Sequence, residues 1–160
     1  MTIQIGEKLP AASLLVMGGK GPEPVKSPDL FQGRKTILFA VIGAFTDTCS
    51  AQHLPGYLEN LEALKDKGID QVVCMAVNDV FVMDAWAKAV GVDGKITMAA
   101  DGNGDFSRAM GMDLDGKAFG IGHRSQRFAM LVEDGTVRQL YVDEPGDFKV
   151  TSAEFMLQKI

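Results

Sequence analysis

The chain has 160 residues, 46% of them hydrophobic and 23% charged, with a formal net charge of −5. That length suits one domain, residues 1–160, with its own core. The acidic balance argues against nucleic acid or an acidic membrane surface as partner, since either needs a basic patch. No apolar run approaches the ~20 residues of a membrane span, and no basic start with an apolar core and cleavage site is present, so a cytoplasmic location is expected.

In chain order, the start reads as irregular. Pro22, Pro24 and Pro28, with Gly18, Gly19 and Gly21, suggest a surface loop with a flexible turn and lack the spacing of a phosphate-binding loop. Thr36 to Ile42 is a near-continuous apolar run, as in a central strand covered on both sides. Leu54, Tyr57, Leu58, Leu61 and Leu64 recur at helical spacing and predict a helix from about Thr48 to Lys67. Thr48 is its expected N-cap, and Pro55 predicts a kink or break between Ala51 and Pro55. Gln71 to Val77 reads as a second buried strand. A helix capped by Asn78 or Asp79 then ends at Gly91. Ile96 to Ala100 is a short strand, and Asp105 to Met110 a short helix. Arg127–Val132 and Val137–Val142, joined at Asp134-Gly135, predict an antiparallel hairpin, and Ser152 to Ile160 a final helix. The alternation implies an α/β fold, a central mixed sheet flanked by helices, ending in the hairpin and helix.

The chemistry points to Cys49. It falls where the first central strand gives way to a helix. Free backbone N–H groups and the positive end of the helix dipole at such a junction favour a thiolate, the nucleophilic form. Thr46, Asp47, Thr48 and Ser50 surround it with polar groups. The reading depends on the sulfur being reachable. Cys74, between Val73 and Met75 in an apolar strand, reads as buried and inert, with a resolving cysteine as the minor alternative. The other ligand candidates are few. With His53 and His123 the only histidines, a Cys/His metal cluster is disfavoured. Asp101-Gly102-Asn103-Gly104-Asp105 imitates the start of a calcium loop, but Phe106 and Met112 occupy its glycine and glutamate positions. His53 reads as a residue that helps shape the pocket mouth or, equally, as a packing or helix-surface residue, and His123 as exposed. No Cys-x-x-Cys occurs, which disfavours a disulfide oxidoreductase.

The run Gly43-Ala44-Phe45-Thr46-Asp47-Thr48-Cys49-Ser50, followed by His53-Leu54-Pro55-Gly56, resembles the active-site segment of the type-five peroxiredoxins. Val77-Asn78-Asp79, Ala100-Asp101-Gly102-Asn103-Gly104-Asp105-Phe106 and Arg127-Phe128-Ala129-Met130 resemble that group in the same order. The resemblance implies a thioredoxin-like fold and a peroxidase that uses no cofactor and no metal. It also implies Cys49 as peroxidatic cysteine, Thr46 as its hydroxyl partner and Arg127 as its cationic one, with Arg124 a rival for that last role. Peroxide is the implied substrate, an external thiol the reductant (glutathione with glutaredoxin, or thioredoxin), and a homodimer the implied assembly. Ile42 and Asp47 stand where the family pattern carries proline. They keep a second reading in play, a non-catalytic redox sensor or interaction module on the same fold.

Overall fold

The computed structural model describes residues 1–160. Its frame is a seven-stranded mixed sheet in the order β2-β1-β5-β4-β3-β8-β9. The strands are β1 (Ser13–Gly18), β2 (Gly21–Lys26), β3 (Lys35–Ala40), β4 (Gln71–Ala76), β5 (Thr97–Ala100), β8 (Phe128–Glu133) and β9 (Thr136–Val142). β3, β4 and β5 run parallel, as β-helix-β crossovers require, while β1, β2, β8 and β9 add antiparallel flanks. A two-stranded ladder, β6 (Asp113–Asp115) with β7 (His123–Ser125), stands apart. No helix is long and apolar enough to cross a membrane.

The period-two alternation of the central strands builds a core on each face of the sheet. Ile37, Phe39 and Val41 with Val72, Cys74 and Ala76 face one side. There they meet α2 (Leu54–Glu59), α3 (Leu61–Asp66), α4 (Val80–Val90) and α6 (Ala153–Lys159) through Tyr57, Leu64, Trp86 and Met156. Leu38, Ala40, Val73, Met75 and Met130 face the other side and meet α1 (Ser27–Phe31) and α5 (Asp105–Ala109) through Phe31 and Phe106. Asp79 caps α4, accepting from Val82 N at 2.8 Å, and Ser152 caps α6, accepting from Phe155 N at 3.1 Å.

Three local expectations are corrected. The proline-rich segment is not a loop: Pro28 lies in the first turn of α1, and Pro22 and Pro24 lie in the antiparallel hairpin β1–β2. Its prolines are tolerated because β2 is the edge strand, with one neighbour to bond. Thr48 is not a cap: its backbone is already α-helical and its side chain caps nothing, because Ser50 N bonds to the Thr46 carbonyl at 2.9 Å and the helix starts before Thr48. The long helix is two helices. A π-helical turn over Cys49–His53, closed by Leu54 N donating to the Cys49 carbonyl, leads into Pro55, which has no N–H to give. A second break falls at Asn60, whose side-chain amide donates to the Gly56 carbonyl at 2.7 Å and competes with the helical ladder. The β6–β7 ladder had no signal in the apolar pattern, being three residues per strand.

The run that imitates a calcium loop uses its first carboxylate internally. Asp101, buried, accepts from Phe106 N at 3.1 Å and from Ser107 N and Ser107 Oγ at 2.8 Å each, while Gly104 takes a left-handed φ of 75° that turns the chain into α5. Asp101→Ala leaves these buried donors without an acceptor. It is expected to lower the free energy of unfolding by about 2 kcal/mol, read by urea denaturation.

Candidate active site

Strand register brings the site together. β3 and β8 pair antiparallel with Ala40 opposite Phe128, so the residue entering β8, Arg127, lies beside the chain leaving β3 toward Cys49. β8 pairs with β9 so that Phe128 faces Val142, and Asp143 N donates to the Arg127 carbonyl at 3.0 Å. β4, parallel to β3, delivers Val77 and Asn78 to the same end of the sheet. Clefts for ligands form at the carboxyl ends of parallel strands, and this one collects four chain segments there.

The segment between β3 and Cys49 is tightly specified. Val41 N bonds to the Met75 carbonyl at 3.1 Å, and Ala44 N donates to Asn78 Oδ1 at 2.9 Å. Phe45 adopts φ 64°, a left-handed conformation uncommon outside glycine, and presents its ring to solvent. Gly43 is closely packed: a Cβ there would lie 3.1 Å from Arg124 Nη1 and 3.3 Å from Thr46 Cγ2 and would press on both. Thr46 Oγ1 donates its hydrogen to the Gly43 carbonyl at 2.7 Å. Its lone pairs therefore remain free to accept a hydrogen bond from an incoming hydroxyl.

Cys49 opens the π-helical turn and has no exposed surface. The sulfur that the sequence placed at a polar junction is thus closed over by its own neighbours. Trp86 Nε1 donates to Ser50 Oγ at 2.9 Å and fastens that turn to α4. Cys74 is also fully buried, opposite Phe39 in the β3–β4 ladder, and burial, with the nearby Cys49 adding to it, pushes its thiol well up. Both cysteines belong to the core on the same face of the sheet.

Arg127 is 8% exposed rather than solvated. Its Nη1 donates to His53 Nδ1 at 2.8 Å, and the Phe148 ring lies 5.7 Å from the guanidinium carbon. Arg124, the rival cation, is committed to the backbone: Nε donates to the Ile121 carbonyl at 2.9 Å and Nη1 to the Val77 carbonyl at 3.2 Å. It braces the walls of the cleft. His53 is the residue that sequence reasoning underrated. It is fully buried, one π-turn beyond Cys49, with its ring 4.8 Å from Phe39 and 5.0 Å from Phe148. The one available signal was its place four residues after Cys49. His123, as expected, is exposed.

Burial, and after it the Arg127 charge, lower the His53 pKa from 6.5 to about 3, against smaller upward contributions from the Thr151 carbonyl and Asp143. Tyr57, whose hydroxyl donates to the Thr151 carbonyl at 2.8 Å, is shifted well up, by burial first and then by Glu154 and Cys74. A histidine kept neutral in the fold but protonated when unfolded makes stability fall with pH below about 6.5, until the native ring itself titrates near 3. The unfolding free energy is expected to be about 2 kcal/mol lower at pH 5 than at pH 8 from this group alone. Denaturant titrations at the two pH values check this, and His53→Asn should flatten the difference.

The redoxin family profile matches residues 4–157. Peroxiredoxin-2E, chloroplastic, of Arabidopsis thaliana is 43% identical over 99% of this chain and 70% of its own length. The structure of reduced Prx3 from Vibrio vulnificus in complex with H2O2 is 43% identical, superposes with a TM-score of 0.95 and is covered to 99%, as is this chain. Peroxiredoxin 5 from Alvinella pompejana, at 35% identity and TM-score 0.85, matches 98% of this chain and 96% of its own. These neighbours share the thioredoxin-like α/β fold. The expected cytoplasmic location does not stand, since relatives matched along 99% of the chain are chloroplastic and composition carries no address. The fold and these likenesses agree: the chain belongs to the redoxin family and is a peroxidase of the peroxiredoxin kind.

Proposed function

We propose that this chain, as one domain over residues 1–160, is a type-five peroxiredoxin that reduces hydrogen peroxide and small alkyl hydroperoxides through Cys49. The observation that carries the proposal is a buried guanidinium, Arg127, held at the same end of the sheet as the Cys49 turn with no carboxylate partner among the ion pairs of the molecule. A buried cation without a counter-ion attracts an anion. The likeness to peroxiredoxin 5 supports the subgroup.

In this reading the Cys49 thiolate attacks one peroxide oxygen. An S–O bond forms, the O–O bond breaks, and sulfur is oxidised by two electrons as the peroxide is reduced. The departing hydroxide or alkoxide takes a proton from water, matching the one the thiol released on becoming thiolate, and leaves as water or alcohol. Arg127 stabilises the charge growing on that oxygen, and the Thr46 hydroxyl, its hydrogen already given to Gly43, accepts from the peroxide O–H. An external thiol then attacks the sulfenic sulfur, releasing water and leaving a mixed disulfide that a second thiol reduces. Glutathione with glutaredoxin, or thioredoxin, fits that role. Cys74 does not, because it sits inside the sheet with its thiol pushed up. Since Cys49 has no exposed surface, peroxide and reductant alike reach it only when the π-helical turn opens. Exposed Phe45, Phe81 and Phe119 offer apolar area for the implied homodimer.

Cys49→Ser is expected to abolish peroxide consumption and Cys74→Ser to leave most of it, measured by stopped-flow with hydrogen peroxide and a thiol reductant. Equal damage from both, with folding intact, would make Cys74 the resolving cysteine. Wild-type oxidation no faster than that of free cysteine would favour the sensor reading.

A further inference from the structure

Among the buried titratable groups that the chemistry above leaves unused is His53, whose hydrogen-bond partners fix its state. A guanidinium can only donate, so His53 Nδ1 accepts from Arg127 Nη1 at 2.8 Å. A carbonyl can only accept, so His53 Nε2 carries a hydrogen and donates it to Thr151 at 3.1 Å. Only the neutral imidazole protonated on Nε2 satisfies both. The imidazolium would set an N–H against the guanidinium, and the other tautomer would add a lone-pair clash at the carbonyl.

The anchor is itself held. Tyr57 donates to the same Thr151 carbonyl at 2.8 Å, and Thr151 Oγ1 donates to Asp143 at 2.7 Å. Asp143 also accepts from Lys149 N at 3.1 Å and Val150 N at 3.0 Å. The usual partner of a buried guanidinium is a carboxylate. A carboxylate at position 53 would cancel the Arg127 charge and place a second anion where the thiolate must form. A neutral ring supplies the bond without the charge.

We propose that His53 is a positioning residue for peroxide reduction: as the Nε2-protonated neutral tautomer it aims the Arg127 guanidinium while leaving its positive charge uncancelled for the thiolate and the peroxide oxygen. This rests on Cys49 being the peroxidatic cysteine. The two ideas fail separately. A single-turnover burst that survives Cys49→Ser sinks the reading of Cys49, whereas a burst that needs Cys49 but ignores His53 sinks only the present inference.

Trp86, the sole tryptophan, donates a hydrogen bond to Ser50 beside Cys49, so its fluorescence is the expected readout of that burst, with quenched-flow peroxide consumption as the second. Three variants separate the roles of the ring. His53→Asn keeps an acceptor near the Nδ1 position, His53→Gln keeps a donor near Nε2 and loses that acceptor, and His53→Asp keeps the acceptor but adds charge. Relative to wild type, His53→Gln and His53→Asp should oxidise about tenfold or more slowly, and His53→Asn within about threefold. Iodoacetamide alkylation, which has no O–O bond to polarise, should fall less than the peroxide rate in His53→Gln. If the two rates fall in equal proportion, if His53→Asp matches wild type, or if His53→Gln is unimpaired, the inference is overturned. Should the variants not fold, 15N chemical shifts of the His53 ring in the wild-type protein decide. A single Nε2–H tautomer from pH 8 to pH 5 supports the inference, and a titrating or mixed ring overturns it.

Discussion

The antiparallel register that sets Ala40 against Phe128 is the constraint on which the rest depends. It joins segments far apart in sequence and leaves Arg127 no choice of place: a shift of one residue would turn every side chain of β8 to the opposite face. That register is enforced from both sides, since Leu38, Ala40, Met130 and Phe128 pack in one core and Ile37, Phe39, Ala129 and Leu131 in the other. The hydrophobic pattern of two ordinary strands is therefore what sets Arg127 beside the chain that leaves β3 toward Cys49.

The side-chain hydrogen-bond partner of that cation is a neutral ring rather than a counter-ion, although Asp143 and Glu144 line the same small cavity without an ion pair to it. All five ion pairs lie on the surface between partly exposed side chains, where each is worth little to stability. The interior instead uses the ring of His53, the Thr151 carbonyl and the Tyr57 hydroxyl, with Asp143 occupied by backbone N–H groups and a threonine. No buried side-chain polar atom lacks a partner. Such a network specifies one arrangement because each alternative strands a group in low dielectric.

The α/β order, the central strands, the capped helix after Asp79 and the terminal hairpin were legible because each rests on local periodicity or on a turn residue with one function. The hairpin β1–β2 was not, since its prolines signal a loop unless the strand is known to be an edge, and edge position is a tertiary fact. Nor was the break at Asn60, where a side-chain amide rather than a missing apolar residue interrupts the helix. Cys49 could be singled out because strand exit and helix entry are both written in the sequence. The closure over its sulfur, and the pairing of His53 with Arg127, depend on which strand neighbours which, and no spacing encodes that.

The five-residue turn from Cys49 to His53 has a consequence for how this segment can vary. A π-turn holds one residue more than an α-turn, so losing one before Pro55 would relax the stretch to ordinary α pitch and change which residue stands where the imidazole meets the guanidinium. The number of residues in this turn thus specifies the pairing of His53 with Arg127 as much as the two side chains do.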